Sequence, residues 1–186
     1  MESFEQVKCD LLGRMVDPKR KDNNALLCGD RAISYGVLDK ESCRYGNALK
    51  KLGVENRDRV LMLVRDTPEF FYFYLGLMRI GAIPVALNYR LTPADIAFII
   101  KNSGSNLFVL EDCFKEIFLE SIKISDSKLD SIIFGTDEDS PSRFSNLLVD
   151  ADDTLEVLEP SMEDAAFWMY SSGTTGQPKG VVHSYR

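Results

Sequence analysis

The sequence predicts an α/β protein: a mainly parallel, mixed sheet flanked by helices. Three observations predict it. Short, largely apolar runs at 60–64, 83–87, 107–110 and 131–134 alternate with longer segments of helical periodicity. Two of those segments open on the same device, Thr67-Pro68 and Thr92-Pro93, a capping hydroxyl followed by proline at the first helical position. Gly81 and Gly104 then stop them. Strands that are apolar throughout are buried on both faces, and their alternation with helices gives βαβ units with right-handed crossovers.

The elements follow in order. Residues 3–16 place Phe4, Val7, Leu11, Leu12 and Met15 at a spacing near that of one helix face, giving an amphipathic helix from Ser3. Residues 25–28 and 31–33 flank Gly29-Asp30, the pattern of a small hairpin. Ser34 N-caps a helix that runs to about Leu52 and is closed by Gly53. In the helix after Thr67-Pro68, Phe70, Phe71, Tyr72, Phe73 and Tyr74 read as core rather than as the lining of a pocket. Asp95 stands third after Thr92, as a capping box requires. Asp112 caps a further amphipathic helix. Residues 136–164 turn strongly acidic and carry Pro141 and Pro160; without calcium-loop spacing they read as a solvated connector rather than a cation site. Residues 165–170 form a short apolar run, a buried strand.

Composition bounds the function. A chain of 186 residues, 45% hydrophobic and 27% charged, suffices for one large domain with a sizeable core. A net charge of −7 argues against a nucleic-acid partner or an anionic membrane surface. The greasiest stretch, 70–87, is interrupted by Gly76, Arg79, Gly81 and Pro84, so it reads as a helix and a strand rather than a membrane span. Cys9, Cys28, Cys43 and Cys113 show no zinc-ligand spacing, and no secretory leader opens the sequence, so reduced thiols and a cytoplasmic location are expected. His183 is the only histidine, which leaves no histidine-ligated metal site.

The chemistry is concentrated in Tyr170-Ser171-Ser172-Gly173-Thr174-Thr175-Gly176-Gln177-Pro178-Lys179-Gly180-Val181-Val182-His183. Glycine lets a backbone approach a ligand closely, and successive N–H groups in such a turn converge on an anion. Ser171, Ser172, Thr174 and Thr175 add hydroxyl donors, and Lys179 adds a mobile point charge suited to phosphate. The P-loop of ordinary NTPases is excluded: neither Gly173 nor Gly176 stands five residues before Gly-Lys-Ser/Thr, and β-branched Val181-Val182 follows where a helix should begin. The element is strand–phosphate loop–strand. A solvated Ser/Thr/Gly linker would not account for Pro178-Lys179-Gly180 or the apolar flanks. A dinucleotide-binding fold is also excluded, because the first strand–helix turn, Arg65-Asp66-Thr67-Pro68, carries no glycine.

Residues 170–181 resemble the AMP-binding signature of the acyl-adenylate-forming superfamily, which includes acyl- and aryl-CoA ligases, amino-acid adenylation domains and beetle luciferases. Further segments are similar to the N-terminal half of that family: Gly29-Asp30-Arg31-Ala32-Ile33-Ser34-Tyr35, Asp58-Arg59-Val60, Gly81 to Asn88 and Leu91-Thr92-Pro93. Asp66-Thr67-Pro68-Glu69-Phe70, the 167–173 segment and Val181-Val182-His183 most resemble aryl-CoA ligases of the benzoate-CoA ligase type.

The resemblance implies the N-terminal subdomain of the adenylate-forming fold. It also implies activation of a small carboxylic acid, an aromatic one by the subgroup, with ATP, Mg2+ and coenzyme A. Ser171, Ser172, Gly173, Thr174, Thr175, Gly176 and Lys179 match the nucleotide-binding positions; no catalytic or metal-binding residue is assigned. Residues 1–160 are expected to form an α/β subdomain ending in the acidic connector, and 161–186 to open the next part of the large domain. Family members are much longer, so the remaining motifs and the C-terminal lid are expected to lie beyond Arg186, and this piece alone to be inactive. The alternatives are another adenylate-forming enzyme, such as an amino-acid adenylation domain, or a non-catalytic scaffold module.

Overall fold

The structure, a computed structural model, describes residues 19–135, 143–156, 158, 160–172 and 176–186. A small antiparallel hairpin comes first, β1 (Asn24–Cys28) and β2 (Arg31–Ser34). Then follow α1 (Tyr35–Lys51), β3 (Arg59–Leu63), α2 (Pro68–Arg79), β4 (Ile83–Ala86), α3 (Pro93–Ser103), β5 (Leu107–Glu111), α4 (Lys115–Ser125) and β6 (Asp130–Phe134). A short helix, α5 (Arg143–Val149), precedes β7 (Ala165–Ser172) and β8 (Pro178–Ser184). The main sheet has six strands in the order β6-β5-β3-β4-β7-β8. All its pairings are parallel except β7–β8. The sheet is continuous across residue 160.

Strands β3, β4 and β5 are buried on both faces, as predicted, whereas β6, at the edge of the sheet, buries only Ile132. Successive side chains of a strand point to opposite sides. Val60 and Met62 of β3, with Val64 beyond its end, join Leu49, Phe73, Leu77 and Phe144 in one cluster. Leu61 and Leu63 join Val85, Ile96, Ile99, Phe108 and Phe118 in the other. The run at 70–74 supplies core, with Tyr72 and Phe73 buried and Phe71 partly exposed. No helix among the described residues is long and apolar enough to cross a membrane.

The caps are largely those read from the sequence. Ser34 Oγ accepts from Val37 N–H. Thr92 and Asp95 form the reciprocal capping box, and Gly104 ends α3 in the left-handed conformation. Gly53 and Gly81, just past α1 and α2, also have positive φ. Thr67 holds the N-cap position of α2 without a side-chain capping bond. Asp112 does not cap α4: it opens a 3-10 turn, Asp112–Phe114, where its carboxylate accepts from Cys113 N–H at 2.7 Å. The expected helix at 3–16 lies outside the described residues.

The described part of the acidic connector, from residue 143 on, is docked rather than merely solvated. Phe144 of α5 is 3% exposed and stacks on Phe73 with ring centroids 4.9 Å apart. Helix α1 holds the chain that follows: Arg44 Nη2 donates to Leu148 O at 2.6 Å, and Asn47 Nδ2 donates to Asp152 O and Thr154 O, both at 2.9 Å. Lys40 pairs with Asp153 at 2.9 Å. The density of acidic side chains hides the apolar residues between them, and side-chain donors to backbone carbonyls leave no sequence pattern.

Candidate functional site

Strand β7 runs parallel to β4 only through Val85↔Trp168 and Ala86↔Met169, then continues as an antiparallel ribbon with β8. The ribbon pairs Tyr170 with Gly180, Ser171 with Lys179 and Ser172 with Pro178. Directly opposed residues share a face, with Cβ atoms about 5 Å apart. Ser171 and Lys179 therefore stand side by side, both exposed. Gly176 has φ +88°, and a Cβ there would meet nothing within 4 Å, so conformation rather than crowding calls for glycine. Gly173, Thr174 and Thr175 lie outside the described residues.

The sequence reading placed Ser171, Ser172 and Lys179 in the loop, whereas the backbone carries all three on the strands that lead into it. Polar residues at the end of a ribbon look like loop because composition cannot see the ladder. The consequence is chemical: a hydroxyl and an ammonium are presented by a paired ribbon at a defined register.

The opposite face of the ribbon rests on the α3 side of the sheet, where Trp168 and Tyr170 pack against the Leu61 cluster. The Tyr170 hydroxyl donates to Asn102 Oδ1 at 2.7 Å. Burial pushes its pKa up, against the opposing effect of Arg59, so it stays a neutral donor. The Arg59 guanidinium lies 5.7 Å from the Trp168 ring centroid, a cation–π contact, and donates to the carbonyls of Ser103 and Gly104. His183 stacks on Phe167 at 4.5 Å and 12°, which gives the only histidine a packing partner. No group of three or more His, Cys, Asp or Glu among the described residues could hold a metal ion.

A second polar feature was not legible in the sequence. In open parallel sheets, ligands bind beyond the carboxyl ends of the strands where the order reverses. Here that point lies between β3 and β5, and the chain's own ion pair fills it. Glu111, 5% exposed, accepts from Arg65 N–H at 2.6 Å, from Arg65 Nε at 2.7 Å and from Arg65 Nη2 at 2.6 Å. The absence of glycine in this turn now has a structural counterpart: the backbone N–H that a cradle would offer to phosphate is spent on a carboxylate.

A family model for AMP-binding enzymes matches residues 15–186. The chain belongs to the AMP-binding enzymes. It is 37% identical over 179 residues to the 3-hydroxybenzoate/4-hydroxybenzoate–CoA ligase of Thauera aromatica, covering 95% of this chain and 34% of the relative. It is 36% identical over 157 residues to the crotonobetaine/carnitine–CoA ligase of Citrobacter koseri, covering 82% of this chain and 30% of the relative. Among solved structures, the anthranilate CoA ligase AuaEII in complex with anthranoyl-AMP superposes with a TM-score of 0.83 at 30% identity, over 95% of this chain and 33% of that one. This member of the AMP-binding enzymes thus spans about a third of the length of the curated relatives it matches.

Proposed function

We propose that this chain is the N-terminal part of an AMP-forming aryl-CoA ligase, and that its β7–β8 hairpin carries the phosphate clamp. The observation that carries the proposal is the register of the hairpin: Ser171 and Lys179 are opposed and exposed at the root of a loop rich in glycine and hydroxyls. Residues 1–160 are read as the α/β subdomain and 161–186 as the start of the next part of the large domain.

The donor set fits a polyphosphate. Ser171, Ser172, Thr174, Thr175 and the N–H groups around Gly173 and Gly176 are hydrogen-bond donors to phosphate oxygens, and Lys179 supplies positive charge. A carboxylate is a poor electrophile and needs a leaving group before a thiol can attack it. When bound, ATP with its magnesium supplies that group. A carboxylate oxygen attacks the α-phosphorus, the bond to the bridging oxygen breaks, and pyrophosphate departs. The thiol of coenzyme A then attacks the acyl carbon and AMP leaves. Negative charge grows on the departing pyrophosphate, and Lys179 is read as the cation that stabilises it.

An aromatic acid is the substrate class proposed, because hydroxybenzoate and anthranilate ligases are among the chain's relatives and structural neighbours. The crotonobetaine/carnitine ligase supports a second reading, an aliphatic betaine acid. ATP–pyrophosphate exchange by the whole ligase separates them: 3- and 4-hydroxybenzoate should drive exchange and carnitine should not. Exchange with carnitine alone would transfer the assignment to the second reading. Exchange with neither set, but with an amino acid, would make the protein an amino-acid adenylating enzyme.

A further inference from the structure

The β4–β7 ladder ends at Ala86↔Met169, yet the hairpin continues for three more pairs, from Tyr170↔Gly180 to Ser172↔Pro178. The end of the hairpin, Tyr170–Ser172 with Pro178–Gly180, therefore extends past its last pairing with β4. A two-stranded ribbon has little stability of its own and twists readily. Besides the packing of Tyr170 against the Leu61 cluster, one polar fastening holds this one. Among the described residues 170–184, the bond from the Tyr170 hydroxyl to Asn102 Oδ1, 2.7 Å, is the only side-chain hydrogen bond to the rest of the molecule.

Both ends of that bond are themselves fixed. On the hairpin side, the Tyr170 ring crosses the position a side chain at Gly180 would take. A Cβ there would lie 3.2 Å from two ring carbons and 3.3 Å from the hydroxyl oxygen. On the other side, Asn102 sits in the last turn of α3, whose final carbonyls at Ser103 and Gly104 are held by Arg59. Arg59 begins β3, the strand beside β4 in the sheet, and its guanidinium also faces Trp168 on β7. A closed circuit runs from the sheet through α3 to the hairpin end.

Resting on the phosphate-clamp reading above, we propose that Asn102 and Tyr170 are positioning residues for the loop. Their hydrogen bond sets the twist of the ribbon end so that Ser171 and Lys179 meet one triphosphate together. Neither is read as a nucleotide ligand. Asn102 stands 68 residues before Tyr170, so the signature itself does not point to it. The bond lies at the surface, where water can replace either partner, so losing it should cost loop geometry more than folding stability.

The test is steady-state pyrophosphate release by the whole ligase carrying Tyr170→Phe, Asn102→Ala or both, with Asn102→Asp as the variant that keeps an acceptor oxygen. The KM for ATP should rise about fivefold, the equivalent of the ~1 kcal/mol of a neutral hydrogen bond, while the KM for the acid stays fixed. The double variant should be no worse than either single one, and Asn102→Asp should stay near wild type. Lys179→Ala separates this inference from the reading beneath it. If Lys179→Ala slows adenylation while the tether variants leave the ATP KM unchanged, the tether is overturned and the clamp stands. If Lys179→Ala is silent, the clamp falls and takes the tether with it. Equal rises in both KM values, or a Tyr170→Phe chain that does not fold, would make the bond merely structural and overturn the proposal.

Discussion

The parallel strands and the β7–β8 hairpin belong to one sheet but are held by different means. Val60, Leu61, Met62 and Leu63 of β3 are at most 1% exposed, whereas Met169, Val181 and Val182 of the hairpin are 52%, 45% and 54% exposed. The parallel part is fixed by apolar burial from both faces, about 1.5–3 kcal/mol for each fully buried aliphatic side chain. The hairpin is fixed by register and a few directional contacts. Their polar ends differ in the same sense. At the carboxyl ends of β3 and β5, Glu111 takes up the donors of Arg65, while Ser171 and Lys179 at the hairpin end stand exposed. Donors available to a ligand occur where burial is weakest, so one sheet separates the residues that stabilise from those proposed to bind.

The largest expected effect is on the buried side. Phe73 is fully buried and packs its ring against Tyr45, Phe144 and Phe134 at centroid distances of 4.8, 4.9 and 5.1 Å. Phe73→Ala should cost about 4 kcal/mol in urea unfolding. Met169→Ala should change stability by less than about 0.5 kcal/mol. Equal losses would erase the contrast between the two regions.

Lys179→Ala tests the other side of the contrast. It should slow adenylation on the order of a hundredfold, about 3 kcal/mol of lost transition-state stabilisation, with the unfolding midpoint and the acid KM unchanged. An unchanged rate of ATP–pyrophosphate exchange would reduce Lys179 to a solvated side chain.

The smallest effect lies where the connector enters the hairpin. Asp164 accepts from Ser161 N–H and from Arg57 Nη2, each at 2.8 Å. The Ser161 N–H, and then the Arg57 guanidinium, hold its carboxyl below the ordinary value. Such a group binds fewer protons folded than unfolded, so its contribution is present above the unfolded pKa, about 3.9, and is lost as pH falls through the folded one. The stability gap between wild type and Asp164→Asn should be constant near neutral pH and close in acid. A gap that widens in acid would contradict this sign.

Much of the fold was legible because local signals agreed. The four parallel strands lie within one residue of the apolar runs, and Thr92 and Asp95 form the box that their spacing predicts. Asp112 was misread because an acceptor before an amphipathic segment looks the same whether it caps an α-helix or opens a 3-10 turn. The connector was misread because its anchors, Arg44 and Asn47, belong to a helix about a hundred residues earlier. In the candidate site, the signature marked the polar residues, while their division between strand and loop depended on the ladder with β8.

By itself the sequence determined the α/β class, most of the helix ends and the identity of the donors around 171–179, because periodicity, capping and backbone permissiveness are short-range properties of the chain. Only the tertiary structure decided that Ser171 faces Lys179, that Glu111 fills the point where strand order reverses, and that Asn102 reaches Tyr170. These depend on strand register and helix docking. Both are set by the burial of two apolar clusters at once, and that global balance is written in no single stretch of residues.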